Sequence, residues 1–296
     1  MRISDLKLTD CKQSKQDSTR KYIFDLRGQE VEFSYINKGD GKDIIVCPCQ
    51  TSCKMGCTFC FLTGMNLPVV NLTYANIVAG VEIVIREAEL PQSDTLLVSF
   101  MGSGEPLLNY KHIINACQEL RFMQADGPYD YVRFAVATMI PSSPLMREFT
   151  KAAKNLPIKL HLSLHSPFDT IRKKMMPNAV NVVPSLELLN EYSSITKNPT
   201  EIHYTLIDGF NDLEQDHKAL VSLFAQTDFA VKPVIKFLDF KSRPDSDIKG
   251  SERVLEFMAN LEHDGIQTEF YMPPGPDIGS SCGQFVRTLE DKACRA

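Results

Sequence analysis

The sequence lacks three features, and each absence excludes a class of protein. No apolar run in its 296 residues approaches the roughly 20 residues that a membrane-spanning helix needs. The chain does not open on a charged segment followed by an apolar one, which is the pattern of a secretory leader. Basic residues are not in excess, because the net charge is -5 and the pI is near 5.7, which argues against a broadly basic surface for nucleic acid. We therefore expect a cytoplasmic protein with no membrane partner.

Cysteine, in contrast, is plentiful, and its distribution indicates ligands rather than disulfides. The chain has nine cysteines, and three of them form the short stretch Cys53-Lys-Met-Gly-Cys57-Thr-Phe-Cys60 after an apolar strand-like run. A structural zinc site needs four closed ligands, whereas a four-iron cluster held by three thiolates leaves one iron open to a substrate. Cys47 and Cys49 lie close enough in sequence to supply a fourth ligand, so a structural zinc knuckle is an alternative at this point.

The pattern of apolar residues predicts an α/β fold. From residue 43 onward, short apolar strands alternate with amphipathic helices, and about six such units predict an open or partial (β/α)6 barrel with its functional residues at the carboxyl ends of the strands. We expect an N-terminal arm and β-hairpin extension over residues 1–42, the barrel over 43–272, and a C-terminal loop and tail over 273–296. Within the extension, residues 1–20 are polar without an apolar period and predict a loose arm.

Four further motifs follow predicted strands or close the chain. Met101-Gly-Ser-Gly-Glu-Pro-Leu107 follows a buried strand, and Ser163-Leu-His165 ends another. Asn211 opens Asn-Asp-Leu-Glu, which resembles a helix capping box. Cys282 lies in the glycine-rich stretch 275–284. Taken singly, these motifs describe a strand-to-helix turn, a structural histidine, a helix cap and an inert cysteine.

In this order, the five motifs resemble the RlmN/Cfr class of radical SAM RNA methyltransferases, from about residue 18 to residue 285. The C-x3-C-x2-C spacing with an aromatic residue before the last cysteine is similar to the radical SAM signature. The resemblance implies a partial radical SAM barrel with a small N-terminal β extension. It also implies two cofactors, a 4Fe-4S cluster and S-adenosylmethionine (SAM).

The resemblance also implies a role for individual residues. In that class, one SAM methylates a cysteine of the terminal loop. A second SAM gives a 5'-deoxyadenosyl radical that takes hydrogen from the S-methyl group, and the methylene radical adds to adenine C2 or C8. By this resemblance, Cys282 is the methyl carrier and Glu32 falls where the class has a proposed proton acceptor. The other implied roles are cluster ligation by Cys53, Cys57 and Cys60, and SAM binding by Phe59, Gly104, Glu105, Ser163, His165 and Asn211.

The sequence departs from the class in four places. The resolving cysteine of the class aligns with Val46, so Cys47, one residue away, or Cys49 would have to replace it, although a one-residue shift in a strand reverses the face of the side chain. A SAM-binding serine aligns with Ala135, with Thr138 as a stand-in. The basic run before Asp277-Ile is replaced by residues 271–275. The separate N-terminal RNA-binding domain of the class has no counterpart in this chain.

These departures bear on the substrate more than on the chemistry. We expect a monomeric methyltransferase that takes electrons from a donor such as flavodoxin or ferredoxin and acts on RNA or a nucleotide-like molecule. RNA binding depends largely on basic side chains that contact phosphates. The candidates for a local basic patch are Arg172-Lys173-Lys174 and, in the arm, Lys12, Lys15, Arg20 and Lys21. Two alternatives stay open: the same chemistry on a peptide or small metabolite, and a non-catalytic protein stapled by zinc.

Overall fold

A computed structural model describes residues 4–125, 127–242, 246–280 and Phe285. In these residues one ten-stranded sheet has its strands in chain order, with β1 and β10 at its edges. The first four strands pair antiparallel, and β4 to β10 pair parallel. The strands are β1 (Leu6–Gln13), β2 (Arg20–Leu26), β3 (Gln29–Asn37), β4 (Lys42–Val46), β5 (Thr95–Phe100), β6 (Tyr131–Thr138), β7 (Ile158–Ser163), β8 (Thr200–Tyr204), β9 (Val234–Leu238) and β10 (Thr268–Tyr271).

Helices connect the parallel strands, so the chain builds six strand–helix–strand units and confirms the predicted partial (β/α)6 barrel. Short 3-10 helices occur at Pro106–Asn109 and Pro276–Ile278. The α-helices are α1 (Tyr74–Glu87), α2 (Tyr110–Leu120), α3 (Phe122–Ala125), α4 (Ser143–Ala153), α5 (Asp169–Met175), α6 (Val182–Thr196), α7 (Glu214–Gln226) and α8 (Val254–His263). In the described part of the chain, none of the helices is long and apolar enough to cross a membrane.

Alternation along the parallel strands separates an apolar face from a polar one. In β7, Ile158, Leu160 and Leu162 belong to the main core, which they form together with side chains of the helices. The intervening side chains, among them Lys159 and His161, point to the opposite face of the sheet because successive strand residues alternate. We call this second face, which does not pack on the helices, the inner face.

The prediction of a loose N-terminal arm is wrong. Residues 6–13 form β1, which pairs antiparallel with β2 from Leu6 opposite Leu26 to Gln13 opposite Arg20. Leu6 is buried and Leu8 packs against the core, while most other side chains of the strand are exposed. Because only these two leucines face the core, the strand carries too few apolar residues to show an alternating pattern in the sequence.

The start of α7 also differs from the prediction. Its N-cap is Leu213, whose backbone N–H donates to Oδ2 of Asp216 at 3.2 Å, so Asn211 does not open a capping box. The N-cap of α1 is Thr73, whose Oγ1 accepts from the N–H of Asn76 at 3.2 Å. The Asn211 side chain, as shown below, has other partners.

Candidate active site

The three clustered cysteines lie in the loop between β4 and α1, at the carboxyl end of β4. All three are half-buried. The Cys57 carbonyl accepts from the N–H of Cys60 at 3.1 Å and from Oγ1 of Thr63 at 2.7 Å, so the loop is folded on itself. The pKa of Cys53 is raised to about 11, and burial of the thiol is the largest cause. A thiolate at this position therefore needs a compensating cation, and the donor set fits a metal cluster.

Apolar contacts hold the cysteine loop to the carboxyl ends of the neighbouring strands. Cys57 and Phe59 pack against a small cluster of buried side chains that includes Met139 and Met175. The ring of Phe59 meets the ring of His165 edge-on, with centroids 5.1 Å apart. The structure thus brings the cysteine motif and the Ser163-Leu-His165 motif into contact. Their shared place at the carboxyl ends of strands predicts this contact.

The turn after β5 packs closely against the segment that precedes the cysteine loop. Gly104 has a φ of +105°, and a Cβ atom on it would lie 2.5 Å from Sγ of Cys49 and 2.8 Å from Cβ of Gln50. The N–H of Glu105 donates to Oε1 of Gln50 at 3.0 Å. Glycine is therefore required at position 104 both by the backbone conformation and by the close approach.

Glu105 is a buried carboxylate with three donors around it. Its oxygens accept from Oγ1 of Thr138 at 2.6 Å and from the N–H groups of Met139 at 3.2 Å and Leu107 at 3.0 Å. Burial outweighs these hydrogen bonds and raises its pKa to about 7. A cationic ligand that reached Glu105 would favour its ionised form.

His165 is a buried residue in the left-handed region of the backbone, with a φ of +55°. Its Nδ1 accepts from the N–H of Thr205 at 3.0 Å. Burial first, and the nearby guanidinium of Arg172 second, lower its pKa to about 3. The imidazole is therefore neutral at physiological pH, with its Nδ1 acting as an acceptor.

Asn211 links the ends of β7 and β8. Its Nδ2 donates to the carbonyls of His165 at 2.6 Å and Thr205 at 2.8 Å, and its Oδ1 accepts from the N–H of Ile207 at 2.6 Å. The side chain is fully buried. Its observed function is to join two loops at the carboxyl ends of the strands, and its predicted contact with SAM stays a prediction.

The prediction that Arg172 belongs to a basic surface patch for RNA is wrong. Its guanidinium is fully buried and donates to the backbone carbonyls of Ser163, Leu164, Val180 and Met139. An arginine with these partners cannot contact an RNA phosphate, and it fixes the strand ends that carry Ser163 and His165. The neighbouring Lys173 is exposed, and its Nζ donates to the carbonyl of Ala179.

Glu32 and Lys21 form a buried ion pair on the N-terminal extension. The two side chains are 2% and 4% exposed, and Nζ of Lys21 lies 2.8 Å from Oε2 of Glu32. Lys21 also donates to the carbonyl of Gly279 and lies 5.6 Å from the centroid of the Phe285 ring. Lys21 is therefore engaged inside the protein and, unlike the prediction, is not part of a surface patch for RNA.

The extension holds the C-terminal loop through several further contacts. Asp277 accepts from Oγ of Ser14 at 2.7 Å and from the N–H of Lys15 at 2.8 Å, and the N–H of Gly275 donates to Asp17 at 2.8 Å. Cys282, the predicted methyl carrier, lies outside the described residues.

The two cysteines weighed as resolving thiols lie in different surroundings. Both are buried in the main core, and the thiol of Cys47 lies near that of Cys117 of α2. Cys49 lies beside the Gly104 turn, and Glu105 and Cys53 are close enough to add to the rise in its pKa that burial causes. Cys49 is therefore the better placed of the two.

Three residues that position this site carried no clear signal in the sequence. Gln50 orients the Glu105 backbone, Arg172 fixes the ends of β6 and β7, and Lys21 pairs with Glu32. A buried arginine or lysine looks like any surface residue in a sequence. The one signal for Lys21 is its position in β2. Tyr22 and Phe24 face the core, and because successive strand residues alternate, Lys21 lies on the inner face.

Comparison with known proteins agrees with this geometry. A family model described as the radical SAM superfamily matches residues 47–221. A probable dual-specificity RNA methyltransferase RlmN of Symbiobacterium thermophilum is 34% identical over 284 residues, which cover 94% of this chain and 74% of the relative. Its counterpart in Thermotoga maritima is 33% identical, over 96% of this chain and 80% of the relative. The crystal structure of a radical SAM methyltransferase from Sphaerobacter thermophilus shares the fold, with a TM-score of 0.83 at 24% identity over 95% of this chain and 81% of that one.

Proposed function

Because the chain belongs to the radical SAM superfamily and, within it, to the RlmN family of SAM-dependent methyltransferases, we propose that it methylates C2 or C8 of an adenine in RNA through an S-methyl intermediate on Cys282. The observation that carries this proposal is the convergence of the cysteine loop, the Glu105 turn and His165 at one end of the barrel. The RNA substrate is supported by the names of the relatives, which are RNA methyltransferases.

The residues present fit the two cofactors of the family, a 4Fe-4S cluster and SAM. Cys53, Cys57 and Cys60 would hold the cluster, because they are three thiols in one folded loop whose ionisation needs a nearby cation. When bound, the cluster and SAM supply reductive cleavage of SAM to a radical. Glu105 and the Gly104 backbone would bind the methionyl end, since a buried carboxylate complements an ammonium group.

Other residues of the chain position these groups. Phe59 would pack by the adenine of SAM, and His165, whose neutral imidazole meets Phe59 edge-on, would hold that ring in place together with Ser163 and Asn211. Arg172 donates to the backbone carbonyls of Ser163 and Leu164 and so fixes the strand end that precedes His165. These assignments leave no role for a zinc knuckle, which does not account for the Glu105 turn.

Cys282 would accept a methyl group by displacement at SAM and then carry it to the adenine. The ion pair between Glu32 and Lys21 supports a role for Glu32 in this step. Lys21 also donates to the carbonyl of Gly279, which is three residues before Cys282 in the sequence. A proton leaves the adenine carbon during the transfer, and Glu32 is the proposed acceptor. Cys49 is the favoured resolving thiol, because it lies beside the Gly104 turn. The proposal further includes a cytoplasmic location, a monomer, and a flavodoxin or ferredoxin as electron donor.

The proposal is tested with three cysteine variants of the reconstituted protein. We expect Cys282→Ala to cleave SAM reductively but to transfer no methyl group to adenine-containing RNA. Cys53→Ala is expected to lose both reactions because it loses a cluster ligand. Cys11→Ala removes an exposed thiol on β1 and serves as the matched control. Methyl transfer by the Cys282 variant would contradict the proposal.

A further inference from the structure

Positive charge is concentrated where α5 meets the cysteine loop. Residues 44–81, which include the cysteine loop, carry one charged side chain, Lys54. Residues 170–186, which begin in the first turn of α5, carry three, the consecutive Arg172-Lys173-Lys174. The whole chain has a net charge of -5, so these two segments differ in sign from the protein as a whole.

Hydrogen bonds hold the two segments together. The N–H of Thr58 donates to the carbonyl of Met175 at 2.9 Å. Nδ2 of Asn178 donates to the carbonyl of Met55 at 3.1 Å. The end of α5 and the turn that follows it therefore lie directly against the cysteine loop, and their basic side chains belong to one region of the surface.

This region is close to a predicted cluster ligand. Thr58 follows Cys57 in the chain, and Met175 follows Lys174, so the hydrogen bond between Thr58 and Met175 joins the two sites. The route from the backbone of the exposed Lys174 to Cys57 crosses two peptide bonds and one hydrogen bond. The thiol of Cys57 also lies near the buried guanidinium of Arg172. A molecule that touches this surface is therefore near the cluster.

The three lysines of the two segments are exposed, and no carboxylate neutralises them. Among the described residues, neither Lys54 nor Lys174 forms an ion pair. Lys173 donates to a backbone carbonyl, which leaves its positive charge in place. The acidic residue of α5, Asp169, accepts from the N–H of Val182 at 2.7 Å. The surface thus presents a positive charge to solvent.

The helix end alone does not account for this charge. Lys173 and Lys174 lie in the last turn of α5, where basic side chains interact favourably with the helix dipole. Lys54 lies on a loop and has no such role, yet its segment packs on the same surface. Thr58 and Pro177, from the same two segments, are exposed and uncharged. The common property of the three lysines is their place beside the cluster.

A protein electron donor suits this surface better than RNA does. Electron-transfer partners meet over small areas, and opposite charge brings them together quickly. RNA binding draws on many phosphate contacts, whereas this surface offers three lysines. The described part of the C-terminal loop, residues 275–280, is held by the N-terminal extension, so we expect the substrate near the extension.

We propose that Lys54, Lys173 and Lys174 form a donor surface, on which a small acidic one-electron carrier protein docks to reduce the cluster. The inference rests on the proposed function, because it assumes a cluster on the cysteine loop. One electron passes from the reduced carrier to the cluster, so the carrier is oxidised by one electron as the cluster is reduced. The carrier is acidic because the donor surface is basic.

The test measures binding of oxidised flavodoxin to the reconstituted protein by isothermal titration calorimetry at low salt. We expect Lys173→Gln/Lys174→Gln to weaken binding roughly tenfold, since it removes two exposed charge interactions. Added salt should weaken wild-type binding more than binding by the variant. Lys173→Arg/Lys174→Arg keeps the charge and should keep the affinity. Lys151→Gln/Lys154→Gln removes the same charge from the end of α4, at the amino ends of the strands, and is the matched control.

A second readout separates docking from folding of the cysteine loop. Dithionite reduces the cluster without a docked protein, so SAM cleavage driven by dithionite should be equal in the wild type and the variants. SAM cleavage driven by limiting reduced flavodoxin should fall about tenfold in Lys173→Gln/Lys174→Gln and stay unchanged in the control. If loss of the Lys173 hydrogen bond lowers the dithionite-driven rate, Lys54→Gln/Lys174→Gln carries the test.

Three results would overturn the donor surface. The first is a wild-type protein that binds neither flavodoxin nor ferredoxin. The second is carrier affinity that is unchanged in both Lys173→Gln/Lys174→Gln and Lys54→Gln/Lys174→Gln. The third is equal weakening in the control variant. Weaker binding of single-stranded RNA with unchanged carrier binding is a form of the second result, and it would assign the lysines to RNA.

Failure of the donor surface and failure of the proposed function are separable in the same samples. Methylation of Cys282 and dithionite-driven cleavage of SAM need no carrier protein, so their absence contradicts the proposed function whatever flavodoxin does. Methylated Cys282 and dithionite-driven cleavage, together with any of the three results above, contradict the donor surface alone.

Discussion

Replacing Gly104 with alanine tests the close packing of the Glu105 turn. The φ of +105° is unfavourable for any residue with a Cβ atom, and that atom would lie 2.5 Å from Sγ of the buried Cys49. The backbone conformation alone costs roughly 1–2 kcal/mol, and forcing a methyl group into a packed region costs roughly 1–3 kcal/mol more. We therefore expect Gly104→Ala to lower the free energy of unfolding by about 2–5 kcal/mol.

A second glycine separates the two contributions. Gly28, in the turn between β2 and β3, has a φ of +81°, and no atom lies within 4 Å of the position that a Cβ atom would take. Gly28→Ala should therefore show the conformational cost without the steric one. Urea unfolding of both variants, followed by far-ultraviolet circular dichroism, gives the comparison. If Gly104→Ala is no less stable than Gly28→Ala, the Glu105 turn does not pack on Cys49 as described.

Three further predictions concern the residues that hold the site. Asn211→Ala should cost about 3 kcal/mol because it leaves one buried N–H and two carbonyls without their partner; urea unfolding checks this against the exposed Asn178→Ala, and equal midpoints would contradict it. His165 has its pKa lowered from 6.5 to about 3, so its neutral form contributes stability that is present above pH 6.5 and is lost as the pH falls toward 3. His165→Asn keeps an acceptor for Thr205 and tolerates the positive φ, so between pH 6.5 and about 4.5 it should lose roughly 2 kcal/mol less than the wild type; parallel pH profiles would refute this. Lys21→Met should destabilise by about 3–5 kcal/mol and Lys21→Met/Glu32→Leu by much less, because only the single variant leaves an uncompensated buried charge; equal thermal stability of the two would count against the pair.

The repeating part of the fold was predictable because its signals are local. The strand over Thr95–Phe100 is nearly continuous in apolar residues, as a strand buried on both faces of a parallel sheet is. Strand β1 was missed because an edge strand needs few apolar residues once its backbone pairs with a neighbour. The Asn211 capping box failed for a different reason, since a short polar side chain beside a turn has many backbone partners and the tertiary structure decided among them.

The candidate site shows the same division between chemistry and burial. The motifs pointed to the three clustered cysteines and the Glu105 turn, which the structure places at the same end of the barrel, because each residue type is tied to a particular chemistry. Burial of charged residues was not predictable: Arg172 and Lys21 looked like surface cations, yet both are enclosed and bind carbonyls or a carboxylate. The face of a cysteine near a strand end was partly predictable, because alternation already made Cys47 a doubtful substitute for a thiol aligned with Val46.

The central claim, that Cys282 carries the methyl group, is tested most directly by peptide mass spectrometry. Protein purified and reconstituted without oxygen would be incubated with methyl-labelled SAM and then digested. The proposed function predicts one labelled methyl group on the peptide that contains Cys282 and none on the peptide that contains Cys11. An unlabelled Cys282 in a preparation that still cleaves SAM reductively would contradict it.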